Sequence, residues 1–182
     1  MRATAESGPA WAASIPAPPN ETDANRYRDT VLALLTYTFG PHLQYFRVEQ
    51  DIAQGLGRID IVATNRAESG AFAMFRERYH ADFIPIECKN YSADLANEEF
   101  NQLASRLGSS TSGLGMLVCR TITDAAAMQR HQVFRWAKGI MLLLFDDEVL
   151  TRLVRLKMAG RDADIDGILL EMTERIKFDS VT

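Results

Sequence analysis

No apolar run in this sequence reaches the ~18 residues that a membrane-spanning helix needs. The longest, "GIMLLLF" at 139–145, has the length of a buried strand. Cysteine is scarce: Cys88 and Cys119 each lie in an apolar, strand-like run. That arrangement offers neither a disulfide framework nor a zinc spacing, and it fits reduced thiols in a cytoplasmic protein. One Arg but no continuous apolar segment marks the N-terminus, which argues against a secretory signal. There is no glycine-rich phosphate loop and no Ser/His/Asp pattern, and His42, His80 and His131 are scattered at no metal spacing. Positive charge is not in excess either. A net charge of −4 counts against a protein that coats nucleic acid through bulk charge. It leaves room for a nuclease, because carboxylates gathered for a metal shift the apo-protein the same way.

What is present suits one domain of 182 residues, with 47% hydrophobic and 24% charged side chains. Residues 1–20, rich in Ala, Pro and Ser, read as a flexible arm carrying a lone Trp11. From about residue 21 to 160 apolar periodicity alternates between helix and strand. "ETDANRYRDTVLALLTYTFG" is a helix capped by Asn20 or Thr22, with Tyr27, Val31, Leu34 and Leu35 on one side, and it stops at Gly40-Pro41. "LQYFRVEQDI" and "GRIDIVATN" are strands joined by a Gly55/Gly57 hairpin turn. A short helix opened by Ser69 leads to a third strand, "FIPIECK". "DLANEEFNQLASRLG" is an amphipathic helix with Leu95, Phe100, Leu103 and Leu107 facing the core, ended by Gly108. "LGMLVCR", "DAAAMQRHQVFRWAKG" and "IMLLLF" continue as strand, helix and strand. The middle one reads as a packing helix whose Arg130, Arg135 and Lys138 form a basic side able to lie along a backbone. Asp146 then caps a helix to about Met158, and residues 161–182 form a C-terminal helix or tail. This order predicts an α/β fold, a mixed sheet with helices on both faces.

The third strand is peculiar at its end. Successive strand residues face opposite ways, so Glu87 and Lys89 share one face while Cys88 points to the other. Alone, the two could form an exposed ion pair worth about 0–1 kcal/mol. Asp60 adds a second anomaly. It interrupts the apolar run "RIDIV", and an acid there is costly to bury unless paired or metal-bound. The competing reading makes it a turn or edge residue.

"GRIDIV", with Glu87 of "ECK" 27 positions after Asp60 and a helix containing "NQLASRL" beyond it, resembles the PD-(D/E)xK superfamily of restriction-endonuclease-like nucleases. The longer string "ECKNYSADLANEEFNQLASRLG", followed by "GMLVCR" and "LLLFDDEVL", is similar to a bacterial restriction-enzyme-like branch with an ECKNY signature. The resemblance spans roughly residues 23–153. It implies a restriction-endonuclease-like fold in which Asp60 and Glu87 ligate Mg²⁺ or Mn²⁺, the Cys88 carbonyl adds a third ligand, and Lys89 is the catalytic lysine. It also implies a first-helix acid near metal-bound water, for which Asp29 aligns best, with Asp23 and Glu21 as alternatives. Gln102 falls where related nucleases carry a helix Gln that holds the water or the lysine; a solvent-facing Gln is the alternative. Asn90 and Tyr91 follow the strand and either touch sugar-phosphate or pin the next loop. Arg58 and Arg106 are candidate phosphate contacts.

Physical chemistry supports the division of labour. Two carboxylates 4 Å apart repel by about 1–4 kcal/mol at moderately high effective dielectric, which favours a divalent cation between them. All-oxygen ligands suit Mg²⁺ or Mn²⁺. The expected activity is hydrolysis of DNA phosphodiester bonds, with RNA also open, in a restriction or anti-phage setting. Since no separate specificity domain is visible, target choice falls to a homodimer, a partner or nucleic-acid structure. The competing class is a noncatalytic nucleic-acid-binding or protein-interaction module on the same fold.

Overall fold

The computed structural model describes residues 23–52, 57–90, 92–108 and 112–180. The expected element order is the observed one. Helix α1 (Ala24–Phe39) precedes the strands β1 (Leu43–Ile52) and β2 (Gly57–Asn65), and α2 (Gly70–Tyr79) leads into β3 (Phe83–Lys89). Then follow α3 (Asn97–Ala104), β4 (Leu114–Cys119), α4 (Ala125–Trp136), β5 (Met141–Phe145), α5 (Asp147–Met158) and α6 (Asp162–Phe178). No helix among the described residues is long and apolar enough to cross a membrane.

The five strands lie in sequence order, with β1/β2 and β2/β3 antiparallel and β3/β4 and β4/β5 parallel. Strand β3 is thus the seam between a meander and a parallel pair. Burial follows the same division. β4 and β5 are buried at every position, the mark of a strand covered on both faces. In β2, buried Ile59, Ile61 and Ala63 alternate with half-buried Asp60, Val62 and Thr64.

Two apolar layers account for the pattern. On one face Ile61, Ile84, Ile86, Met116, Val118, Leu143 and Phe145 pack with side chains of α1, α2, α5 and α6. On the other, Leu117, Cys119, Leu142 and Leu144 meet Phe100 and Leu103 of α3 and Met128 of α4. Each fully buried Leu or Phe contributes about 1.5–3 kcal/mol of transfer free energy. The second layer stops at β3, and on that face β1 presents exposed Gln44 and Arg47 opposite Thr64 and Val62.

The differences from expectation are local. Asn20, Thr22 and Gly55 lie outside the described residues; Asp23 stands at the start of α1 without a side-chain capping bond. Helix α3 is shorter than the 94–108 pattern. Asp94 instead accepts bonds from the Thr123 N–H (2.7 Å), the Thr123 hydroxyl (2.7 Å) and the Asp124 N–H (2.8 Å), which pins the entry as a loop. The helix opens where the Ala96 N–H donates to Glu99 Oε2 at 2.8 Å. Leu95 and Leu107 are still buried, just outside the helix. The segment after residue 160 is a helix whose Ile165, Leu169 and Ile176 join the first apolar layer.

One expectation is overturned. Arg135 does not lie on an exposed basic side of α4: it is 2% exposed and turned onto α3. Its guanidinium donates to the Asn97 backbone oxygen (3.1 Å), Asn97 Oδ1 (2.5 Å) and Asn101 Oδ1 (2.7 Å), and lies 5.6 Å from the centroid of the Phe100 ring. Because the second apolar layer needs α4 to face α3 at this turn, the Arg stem fills the interface and its head takes the polar atoms of α3.

Candidate functional site

The site forms where the second apolar layer stops. On β3 the same side of the strand that buries Pro85 carries Glu87 and Lys89. The antiparallel register with β2 runs to Ile61 opposite Ile86, and one further step sets Asp60 beside Glu87. There the backbone ladder gives way to a side chain, because the Cys88 N–H donates to Asp60 Oδ2 at 2.8 Å. An acid inside an apolar run is thereby satisfied by a strand amide, which fixes its carboxylate against β3.

Glu87 is 2% exposed, and two cations share its carboxylate. Arg106, in the turn just past α3, contacts Oε1, and Lys89 Nζ lies 3.5 Å from Oε2. Lys89 Nζ also donates to Gln102 Oε1 at 2.8 Å. Gln102 comes from the last turn of α3 and Arg106 from the turn that follows it. Burial, then the charge of Asp60, pushes the Glu87 carboxyl above the usual carboxylate range, and Arg106 and Lys89 pull it back. A buried carboxylate lacking such partners would cost several kcal/mol (about 3–5 on removal of a partner).

Asp60, Glu87, Lys89, Gln102 and Arg106 therefore converge. The other candidates have different partners or surroundings. Asp29 is paired with Arg28 at 2.8 Å, and its side chain is 61% exposed. Arg28 also reaches Glu49 Oε1 at 2.6 Å, and Glu49 lies 3.7 Å from the exposed Arg58. Asn90 is half-buried directly after β3, whereas Tyr91 lies outside the described residues. The Cys88 side chain packs on the first apolar layer, and burial lifts its thiol well above the ordinary range. Only its carbonyl is of interest as a ligand.

Among the described residues no group of three His, Cys, Asp or Glu side chains is arranged to hold a metal ion. The donor set still fits a small hard cation. Mg²⁺ usually keeps several waters and takes one or two carboxylates plus substrate oxygens, and Asp60 and Glu87, side by side on β2 and β3, are two such carboxylates.

Sequence reasoning missed a neighbouring cluster. The Tyr27 hydroxyl donates to Asp147 Oδ1 at 3.0 Å, and Arg120 donates to Oδ2 at 3.3 Å while lying 5.0 Å over the Tyr27 ring. Asp146 is the cap anticipated for α5, accepting from the Val149 N–H at 2.8 Å. Asp147 instead ties α1 to the carboxyl ends of β4 and β5. The available signal was an Arg and an acid directly after two adjacent parallel strands, where α/β sheets place their polar groups.

No family model matches the chain, and neither a curated protein nor a solved structure matches it.

Proposed function

We propose that this chain is a Mg²⁺- or Mn²⁺-dependent endonuclease of the PD-(D/E)xK, restriction-endonuclease-like kind, cutting phosphodiester bonds in DNA. The observation that carries the reading is the junction of Asp60, Glu87, Lys89 and Gln102 at the seam between antiparallel and parallel strands. An ordinary exposed ion pair needs neither a buried Glu nor an acid from the next strand.

In this reading Asp60, Glu87 and the Cys88 carbonyl would hold the metal, which when bound would supply Lewis-acid chemistry for hydrolysis. Gln102 holds the Lys89 ammonium in place, and as a cation Lys89 orients the attacking water and stabilises charge developing at phosphorus. Arg58, Asn90 and Arg106 contact the sugar-phosphate backbone. These groups sit on strands and a helix end, which hold a reacting geometry better than a long loop does. A homodimer or a separate partner supplies target choice, in a cytoplasmic, anti-phage setting.

One observation favours the second reading, a noncatalytic nucleic-acid-binding module: protein cations already satisfy Glu87, and Asp29 is paired with Arg28. Cleavage of supercoiled plasmid, linear DNA and RNA with Mg²⁺, Mn²⁺ or EDTA separates the two. We expect metal-dependent cutting that falls at least ~100-fold in folded Lys89→Ala and Asp60→Ala proteins, the scale of a lost group that stabilises transition-state charge. Cutting that survives Lys89→Ala sinks the mechanism, and metal-independent binding without cutting establishes the module.

A further inference from the structure

We infer that the open face of the sheet beside the candidate site is a platform for an unpaired DNA strand, with a base stacked on Phe83 and a phosphate held by Arg47. Its use as a substrate platform rests on the nuclease reading above. To that reading it adds a substrate class: DNA with a single-stranded stretch next to the bond that is cut.

Register places the residues. Alternate strand positions share a face, so Phe83 and Pro85 lie on the side of β3 that carries Glu87 and Lys89. Thr64 stands opposite Phe83, and Gln44 opposite Thr64; Val62 stands opposite Pro85, and Arg47 opposite Val62. Two cross-strand rows, Gln44–Thr64–Phe83 and Arg47–Val62–Pro85, thus lead along the face to Asp60 and Glu87. Among the described residues the second apolar layer sets no side chain on β1 or β2. Phe83 is 46% exposed there, although Phe is among the residue types most often buried. Arg47 is exposed as well, and among the described residues no carboxylate claims it.

Charge and shape choose the occupant. A duplex offers phosphates and groove edges, its base faces already stacked, and is held chiefly by cations. This face has few: Arg47, and an Arg58 that lies 3.7 Å from Glu49, on a chain of net charge −4. An unpaired strand bares its base faces, and each can stack on an aromatic ring whatever the base. One exposed ring, small neighbours at Val62 and Thr64, and one uncommitted guanidinium match that strand better than a duplex. Distance ties the platform to the site. The four residues from Phe83 to Glu87 span about 13 Å of strand. A nucleic-acid strand crosses that span in no more than ~4 nucleotides at its stacked rise. Holding a base on Phe83 therefore selects which phosphate reaches Asp60 and Glu87.

The test is fluorescence anisotropy of the full chain with labelled oligothymidylate and with a blunt duplex, in EDTA so that binding is read without cutting. Wild type should bind the oligothymidylate at least ~5-fold more tightly than the duplex at one salt concentration, the low end for one stacked base. Phe83→Ala and Phe83→Leu, checked for folding by circular dichroism, should each lose at least that factor. Phe83→Tyr, which keeps the ring, should retain it. Arg47→Gln should lower the salt slope by about 0.7, one phosphate of a single strand. Equal binding of duplex and single strand overturns the platform, as does strand binding that Phe83→Leu leaves unchanged. Because Phe83→Leu keeps an apolar side chain of similar size, this arm decides the matter if Phe83→Ala does not fold. The nuclease reading is judged separately, by Mg²⁺- or Mn²⁺-dependent cutting that Lys89→Ala abolishes. Such cutting, with strand binding that ignores Phe83, sinks the platform alone. Phe83-dependent binding without any cutting keeps the platform and returns the chain to the noncatalytic module, and neither binding nor cutting sinks both.

Discussion

Replacing Arg135 tests how α3, and with it half of the candidate site, is held. The guanidinium is buried, has amide and carbonyl oxygens as its partners on α3, and stands 5.0 Å from the centroid of the Phe134 ring as well as above Phe100. Burial lowers its pKa from the ordinary Arg value, as expected where no carboxylate compensates for lost water. Two effects compete. Charge-assisted bonds contribute about 1.5–3 kcal/mol each, but an apolar side chain of similar volume avoids desolvating a cation and is often neutral or stabilising. Asn97 and Asn101 are exposed, so water can take over their oxygens when the cation is gone. Arg135→Met should therefore lie within about 1 kcal/mol of wild type. Arg135→Ala empties the interface and should cost about 2–5 kcal/mol, as large-to-small core changes do. Asn101→Ala removes one partner of a charge that stays buried and should cost about 1–3 kcal/mol. Urea unfolding with constant slope measures all three. If Arg135→Met costs as much as Arg135→Ala, the hydrogen bonds rather than the packing seat α3, and the reasoning fails. Any shift of α3 should appear at Gln102 too, because Gln102 follows Asn101 directly.

Two other predictions concern side chains that take no part in the proposed chemistry. Burial, followed by Asp146 and Asp147, pushes the Cys119 thiol up to about 12, and burial lifts Cys88 in the same direction, so neither forms thiolate near neutrality. Both should react with a thiol reagent only as fast as the protein unfolds; stoichiometric labelling of native protein within minutes would refute this. His131 stacks on Phe100 at 5.0 Å, and burial, then Arg135 and Arg130, holds its imidazole below the ordinary pKa. Its folded state thus prefers the neutral ring, whose contribution is complete above the unfolded value near ~6.5 and is lost as pH falls through the lower folded value. The Tm of His131→Gln should gain on wild type as pH drops from 8 through that window, and a pH-independent difference would contradict it.

The sequence made legible whatever depends on neighbours in the chain. Alternation in "RIDIV", the buried pentapeptide "MLLLF", Ser69 before α2 and Asp146 before α5 all announce their elements locally, and so the order of strands and helices could be read. Strand parity placed Glu87 and Lys89 on one face, whereas Gln102 was placed near Lys89 only through the resemblance to related nucleases. Pairings across the fold were not legible. Tyr27 meets Asp147 over 120 positions, and Arg135 meets Asn97 over 38, contacts that exist only once β4 and β5 are neighbours and α4 faces α3. Arg106 was visible as a cation near the site, but its choice of Glu87 over solvent follows from how deeply Glu87 is buried. Asp29 was assigned by spacing to an apolar run, and that spacing cannot register the adjacent Arg28, which claims it.

Helix α6 has a consequence for how the chain survives its own synthesis. Strand β5 is last in the sheet order, and its five apolar residues are sheltered in part by Ile165, Leu169 and Ile176 of a helix made after it. Until those last turns leave the ribosome, the nascent chain displays an apolar edge strand, the kind of template on which chains join through cross-β pairing. Early termination before Asp162 would thus give an aggregation-prone product even with every candidate site residue already in place.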